Sequence, residues 1–388
     1  MSRDHGIVAW RHMTSSLYIH IPFCAAKCNY CSFNSYAGLG GLHDAYVRAL
    51  CAELFQSASG VEQGALKTVF LGGGTPTILS TSQLKQILSI CYSAFSVSPD
   101  AEISIEANPG TVDRGKLIGL FESGVNRLSI GVQSFNDWEL KTIGRIHTAA
   151  EAIKAVEMAQ AVGFNNLSVD LMYGLPGQST RSWKTSLETA LSLGLKHISI
   201  YNLTVEERTP LEKLVREERL QLPGDEDIEI MDGITGECTA AAGFEQYEIS
   251  NYAKVGYQSR HNITYWENRD YFGFGAGAVS CLNGSRRRNI ANPKEYCRFV
   301  ESGKSVVIEE ETLEHDASFR ETVIMGLRMN RGVSLSMLEN RYGISIEKYY
   351  GTILQQLIGS GMLEKVTGFL RLTDKGRPFA NGVMAELV

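Results

Sequence analysis

The chain has 388 residues, 44% hydrophobic and 21% charged, with a formal net charge of −6 at pH 7. This is the composition of an ordinary globular protein, long enough for a barrel with an appendage. The acidic balance argues against a general nucleic-acid surface, and no apolar run approaches the roughly 18 residues of a membrane-spanning helix.

Residues 1–16 read as an N-terminal extension; MSRDHGIVAW lacks the apolar core of a secretion signal. Residues 17–203 read as strand-then-helix units, which predicts a parallel sheet. The strands fall at 17–22, 67–71, 101–106, 126–132, 166–172 and 196–202. Helices follow near 43–58, 81–95, 112–123, 148–162 and 180–193. Ser80, Asp113 and Ser179 stand near helix starts, where a side-chain oxygen can cap free amides. The strands alternate. Leu128, Ile130 and Val132 oppose Arg127, Ser129, Gly131 and Gln133; Leu167, Val169 and Leu171 oppose Ser168 and Asp170; Ile103 and Ile105 oppose Ser104 and Glu106. Strands covered on both faces read as continuous aliphatic runs, so one face here meets helices and the other lines a wet or ligand-filled space. An antiparallel sheet with one solvated face alternates in the same way, but the intervening helices favour an α/β fold, a partial (β/α)6 barrel with an open lumen. Functional groups then gather at the C-terminal ends of the strands.

Beyond residue 203 the alternation stops. Residues 204–316 read as a barrel extension, with helices over Val205–Leu220 and Asp225–Ala242, strand-like Phe244–Tyr252 and Tyr271–Leu282, and the run Arg286-Arg287-Arg288. That run reads first as a solvated charge cluster and second as a partner for carboxylates. Residues 317–388 read as helices near 318–330, 334–341 and 346–360 followed by a hairpin over Leu363–Leu372, an α+β winged-helix-like module. With nine basic against six acidic residues it has no dense basic patch, and DNA binding is not expected.

Cys24, Cys28 and Cys31 follow the first strand with the spacing Cys-x3-Cys-x2-Cys. Three thiolates can hold three corners of a four-iron cluster and leave one iron open, whereas electron-transfer clusters take four cysteines. Half of a zinc site, or small buried side chains, are the alternatives. The other five of the eight cysteines are scattered singly, which with no secretion signal suits a reducing compartment, the cytoplasm. Gly72-Gly73-Gly74-Thr75-Pro76 ends the second strand, and such a run allows close backbone approach to a ligand or a tight turn. Glu106 and Asp170 face the lumen and need donors, from a ligand or a structural ion pair. Arg145, beyond the fourth strand, suits a carboxylate.

LYIHIPFC, GGGTP, EANPGT, ISIGVQSF, Gly174-Leu175-Pro176-Gly177-Gln178 and His261-Asn262-Ile263-Thr264-Tyr265-Trp266 occur in this order. Over residues 17–388 the chain resembles the HemW haem chaperones, relatives of oxygen-independent coproporphyrinogen III oxidase within the radical S-adenosylmethionine (SAM) proteins. The resemblance implies a [4Fe–4S] cluster on Cys24, Cys28 and Cys31. It implies SAM against Tyr18, Tyr30, Gly73, Gly74, Thr75, Glu106, Gln133, Arg145 and Asp170. It also implies haem at the His-Asn-x-x-Tyr-Trp segment, with His261 as the ligand. The expected activity is haem binding and delivery to haem-requiring membrane enzymes, with a reductant for the cluster as partner, membrane association through the recipient, and room for a homodimer. The oxidase relatives carry a cysteine two residues after the third ligand. Phe33 stands there instead, which disfavours the alternative, oxidative decarboxylation of coproporphyrinogen III. No catalytic residue is assigned.

Overall fold

The computed structural model describes residues 15–58 and 65–388. The expected extension lies outside them except for its last two residues. Strand β1 (Ser16–Ile21) leads into the cysteine loop, which is clasped at its ends by the two-residue parallel strands β2 (Phe23–Cys24) and β3 (Tyr36–Ala37). Beside β1 lie β4 (Leu66–Gly73), β5 (Val97–Ala107), β6 (Arg127–Gln133), β7 (Asn166–Tyr173) and β8 (His197–Asn202), all parallel and in chain order. These are the six strands expected from the alternation. The crossovers are α1 (His43–Ala58), α2 (Thr81–Ala94), α3 (Arg114–Glu122), α4 (Asp137–Thr142), α5 (Ala149–Val162) and α6 (Thr180–Ser192). Ser80, Asp113 and Ser179 are the N-caps of α2, α3 and α6, each accepting from an amide three residues on. Helix α4 is too short to show a periodic stripe and was not expected. Its cap, Asn136, accepts from the amides of Trp138 and Glu139.

The two strand faces divide as their chemistry requires. Leu17, Ile19, Ile21, Leu128, Ile130 and Val169 are fully buried in one core shared with the helices. Apolar burial of this kind contributes roughly 25 cal/mol per Å² and holds the crossovers down.

After β8 come α7 (Pro210–Arg216), α8 (Asp225–Ala241), β9 (Glu245–Gln246), β10 (Asn251–Ala253), α9 (Arg260–Trp266) and β11 (Phe272–Phe274). The helix expected over Val205–Leu220 shrinks to α7. Thr209 and Pro210 start it, and Arg208 and Glu218, both left-handed at φ of 63° and 57°, bracket it. Strand β10 runs antiparallel to β8, and β11 adds parallel to β1, so the sheet reaches nine strands. Helix α9 closes the floor of the barrel. Thr264 Oγ1 meets Ser16 Oγ at 3.0 Å, and Glu102 accepts from the amides of Arg260 and His261 at 3.0 and 3.1 Å.

Outside the barrel, β12 (Val279–Leu282), β13 (Ser285–Asn289) and β14 (Val307–Thr312) form an antiparallel sheet, and α10 (Pro293–Glu301) packs on α1. The arginine run lies in β13 opposite acidic β14. Arg287 pairs with Glu310 at 2.9 Å, Arg288 pairs with Glu309, and Arg286 turns to Glu321 at 2.5 Å. These charges are balanced by neighbouring carboxylates, two of the three pairs standing at the surface.

The chain ends in a module of α11 (His315–Leu327), β15 (Val333–Ser334), α12 (Leu335–Tyr342), α13 (Ile346–Tyr350), α14 (Thr352–Gly359), β16 (Leu363–Val366), β17 (Phe369–Leu372) and α15 (Ala380–Ala385). Its sheet order β15-β17-β16 and its own core around Phe319, Val323, Leu338 and Leu370 make a winged-helix-like fold. The helix expected over 346–360 breaks at Gly351, where φ is +50° and ψ −117°, a conformation that costs glycine least. The module docks on the barrel floor. Glu248 bridges Met329, the Asn330 amide donates to the Tyr247 carbonyl at 3.0 Å, and Arg341 donates to the Asn268 carbonyl at 2.6 Å.

Candidate functional site

The three cysteines are free and half-buried in one loop over the C-terminal ends of the strands. A hydrogen-bonded chain joins two of them across the barrel mouth. Thr75 Oγ1 lies 3.7 Å from Cys24 Sγ and accepts from Asn108 Nδ2 at 2.8 Å. Asn108 Oδ1 accepts from the Arg145 guanidinium at 2.6 Å, and that guanidinium also reaches the Gly131 carbonyl and lies 3.4 Å from Cys28 Sγ. Tyr30 hydrogen-bonds Cys28, and burial raises its pKa. Burial also raises the Cys24 thiol, while Thr75 and Ser35 pull it down. The positive charge of Arg145 is therefore held where a thiolate-rich group would collect negative charge.

Deeper in the lumen Glu106 and Asp170 face each other, each keeping some surface open to the cavity although both lie deep in the molecule. Burial first, then the charge of Asp170, push Glu106 up to about 8, against one hydrogen bond from the Gly73 amide at 3.0 Å. Asp170 is also raised by burial, against donors on Ser199 and Ser129, the latter at 3.1 Å. A carboxyl pair this short of donors suits a ligand that brings hydroxyls or an ammonium. The glycine run makes a close turn at the end of β4. The amides of Gly73, Gly74 and Thr75 are taken by Glu106, the Ile21 carbonyl and the Phe23 carbonyl. A Cβ on Gly73, whose φ is +110°, would lie 2.4 Å from the His20 ring. The glycines let β4 pack against β1 and its loop at the rim of the lumen. Gln133 takes φ of +72° at the end of β6, a left-handed conformation rare without glycine. It directs the chain away from the strand at the lumen edge.

Tyr18 and His20 stand on the lumen face of β1. Tyr18 Oη meets His20 Nδ1 at 2.9 Å, and His20 Nε2 meets the Asn34 carbonyl at 2.9 Å. The sequence argument left out His20 and Asn108 as site residues. In Leu17-Tyr18-Ile19-His20-Ile21 the aliphatic residues alternate with Tyr18 and His20, which puts His20 on the lumen side, and Asn108 sits one residue past a strand end beside a proline, so both signals were present.

His261 is not at the mouth. It is 0% exposed in the floor, with Nδ1 2.8 Å from Thr68 Oγ1 and Nε2 2.8 Å from Tyr265 Oη. Its ring stacks on Phe70 at 5.0 Å, and burial lowers its pKa to about 3. Both ring nitrogens are hydrogen-bonded in this structure. Trp266, on the outer side of α9, carries an indole N–H shielded from water and without an acceptor.

The donor set at the mouth fits a cluster and SAM in three respects: three neighbouring free thiols, the shielded Nε of Arg145 without a partner, and the donor-poor Glu106. Among the described residues no three His, Cys, Asp or Glu side chains converge on a single-ion site. Three corners of a cube stand farther apart than the ligands of one zinc ion.

Residues 18–190 match the family model of the radical SAM superfamily, and residues 313–379 match that of the HemN C-terminal domain. The heme chaperone HemW of Bacillus subtilis (strain 168) is 40% identical over 374 residues, covering 96% of this chain and 99% of the relative. HemW of Escherichia coli (strain K12) is 35% identical, covering 95% and 97%. The mitochondrial radical S-adenosyl methionine domain-containing protein 1 of Danio rerio is 34% identical, covering 93% and 82%. Among solved structures, the coproporphyrinogen III oxidase HemN of Escherichia coli, a radical SAM enzyme, superposes with a TM-score of 0.84 at 23% identity, over 98% of this chain and 91% of that one. This last likeness is one of fold.

Proposed function

Since this chain belongs to the HemW family of radical SAM proteins, we propose that it is a haem chaperone that binds haem and passes it to haem-requiring membrane enzymes. The family implies a [4Fe–4S] cluster and SAM. We assign Cys24, Cys28 and Cys31 to the cluster. Glu106, Asp170, Arg145, Gln133, Tyr18, Tyr30 and the Gly73-Gly74-Thr75 turn are assigned to the SAM pocket. Held by Cys24, Cys28 and Cys31, such a cluster would supply one-electron reducing chemistry next to a bound SAM. This chain's own part is to present three thiolates, offer Arg145 to a carboxylate, and set two carboxyls against ribose hydroxyls or an ammonium.

The observation that carries the reading is identity to heme chaperones along almost the whole chain, through the barrel and the docked module alike. No helix among the described residues is long and apolar enough to cross a membrane. A reductant for the cluster, a cytoplasmic setting, a homodimer and the domain limits at 17–203, 204–316 and 317–388 belong to the same proposal. Haem titration of the cluster-reconstituted protein under anaerobic conditions tests it, run beside an assay for coproporphyrinogen III conversion. Stoichiometric haem binding without conversion is expected. Conversion without haem binding overturns the reading in favour of the oxidase.

A further inference from the structure

Glu139, on the six-residue helix α4, is a buried acid that neither the cysteine loop nor the lumen carboxyl pair uses. It is 1% exposed, and the side chains that donate to it are uncharged. Ser134 Oγ and Gln178 Nε2 donate to its Oε2 at 2.6 and 3.0 Å, and Ser182 Oγ donates to its Oε1. The donors belong to two neighbouring loops. Ser134 directly follows Gln133 at the end of β6, and Gln178 and Ser182 stand in the turn after β7 and the first turn of α6. Ser134 Oγ also accepts from the Asn136 amide at 3.0 Å. An acid without a cation is tolerated in the interior only while its donors stay in place, so this knot ties α4 to both loops.

The far end of α4 holds the cluster side of the mouth. Gly144, left-handed at φ of +78°, follows the helix, and the Arg145 amide donates back to the Leu140 carbonyl at 2.8 Å. In this helix ending the residue after the glycine is fixed by the last turn. The Ile143 and Thr142 carbonyls accept from Asn29, the neighbour of Cys28, at 3.0 and 3.3 Å. A helix this short has no stability of its own. Its place comes from buried Leu140 and Ile143 on the apolar side and from Glu139 on the polar one.

We propose that Glu139 is a positioning residue for SAM: by pinning α4 it sets the backbone from which the Arg145 guanidinium reaches the SAM carboxylate. The inference rests on the SAM reading above and adds a residue outside the set assigned to that pocket. The guanidinium has little room for error, since it meets Asn108 Oδ1 at 2.6 Å and lies 3.4 Å from Cys28 Sγ. It binds a carboxylate through directional bonds, which weaken steeply with misalignment. Removing the charge of Glu139 without changing its volume is therefore felt at the carboxylate of SAM and not at its adenosine end.

The test is SAM binding to the cluster-reconstituted full chain under anaerobic conditions, in a double-mutant cycle of Glu139→Gln and Arg145→Ala. Methylthioadenosine, which keeps the adenosine and the sulfur but lacks the amino-acid end, is the second probe. SAM affinity is expected to fall about tenfold in Glu139→Gln, the size of one hydrogen bond to a charged group. It is expected to fall no further when that substitution is added to Arg145→Ala. Methylthioadenosine should bind the wild type and Glu139→Gln alike. Ser134→Ala, which removes one donor and leaves the acid in place, is the milder variant and carries the test if Glu139→Gln does not fold. A loss of about threefold for SAM is expected there, again absent beside Arg145→Ala. Equal losses for both probes, or the same loss in both backgrounds, would show a general loosening of the rim and overturn the assignment. Unchanged SAM affinity in folded Glu139→Gln also overturns it. Failure of the wild type to bind SAM sinks the SAM reading itself, a distinguishable result.

Discussion

At the scale of single residues, His261 and Glu106 show how burial decides what a titratable group can do. His261 lies among Phe70, Tyr18 and Tyr265 with both nitrogens bonded. Its replacement by alanine strands the Thr68 and Tyr265 hydroxyls and opens a cavity in the floor. We expect His261→Ala to lower unfolding stability by about 2–4 kcal/mol, read from urea titration of the ligand-free protein. A stability equal to wild type would mean the ring is not held as described. Glu106 works in the opposite sense to a salt-bridged acid. Its folded pKa, about 8, stands above the ordinary carboxyl value, so the native state holds a proton that the unfolded chain has released. Stability therefore falls as pH rises through the interval between those two values and is level above it. Glu106→Gln removes that slope. The thermal midpoint of the ligand-free variant should drop less between pH 5 and pH 9 than that of the wild type. Parallel curves would show that Glu106 is ionised throughout.

At the scale of elements, strand pairing was legible because side-chain period two survives any helix length between strands. The boundaries of β1, β6 and β8 match the alternation to within a residue or two. Capping oxygens fixed the starts of α2, α3 and α6 in the same way. What stayed hidden is instructive. Helix α7 is short because left-handed residues at 208 and 218 bracket it, and charged composition alone does not announce them. The glycine run announced a close approach, but composition could not say whether to a ligand or to His20. The resemblance marked the His-Asn-x-x-Tyr-Trp segment for haem, but its place in the floor depends on contacts with Thr68, some 190 residues earlier, which no local pattern announces. The cysteine loop is the element whose assignment is easiest to break. Replacing Cys24, Cys28 and Cys31 together with alanine should abolish the visible absorbance of the reconstituted protein. Cys51→Ala, buried on α1, should leave it intact. Equal absorbance in the triple variant would remove these thiols from the ligand set.

At the scale of the whole molecule, two hydrophobic cores share one chain. The barrel's core and that of the module around Phe319 and Leu370 are separate clusters. What joins them is largely polar: the Arg286–Glu321 pair at 2.5 Å, Asn268 Nδ2 donating to Glu321 and Thr322, and Asn330 donating to Gln246 and Tyr247. Polar contacts fix orientation well but add modest stability, because each replaces a bond to water. Two cores with a polar joint should unfold together only while the joint holds. Arg286 and Glu321 are each about two-thirds or more shielded. Losing one partner therefore leaves a half-buried charge unpaired, at a cost of about 1.5–3 kcal/mol. In Arg286→Ala with Asn330→Ala the smaller core then has the least to lose by opening first. Calorimetry should resolve an early, small transition from the module ahead of the barrel. The fluorescence of Trp266, whose indole meets Arg328 of the module, should change in that first step. A single transition in the double variant, shifted or not, would mean that the floor and the module form one cooperative unit. Two transitions would make the polar contacts between them a joint that opens before the barrel unfolds.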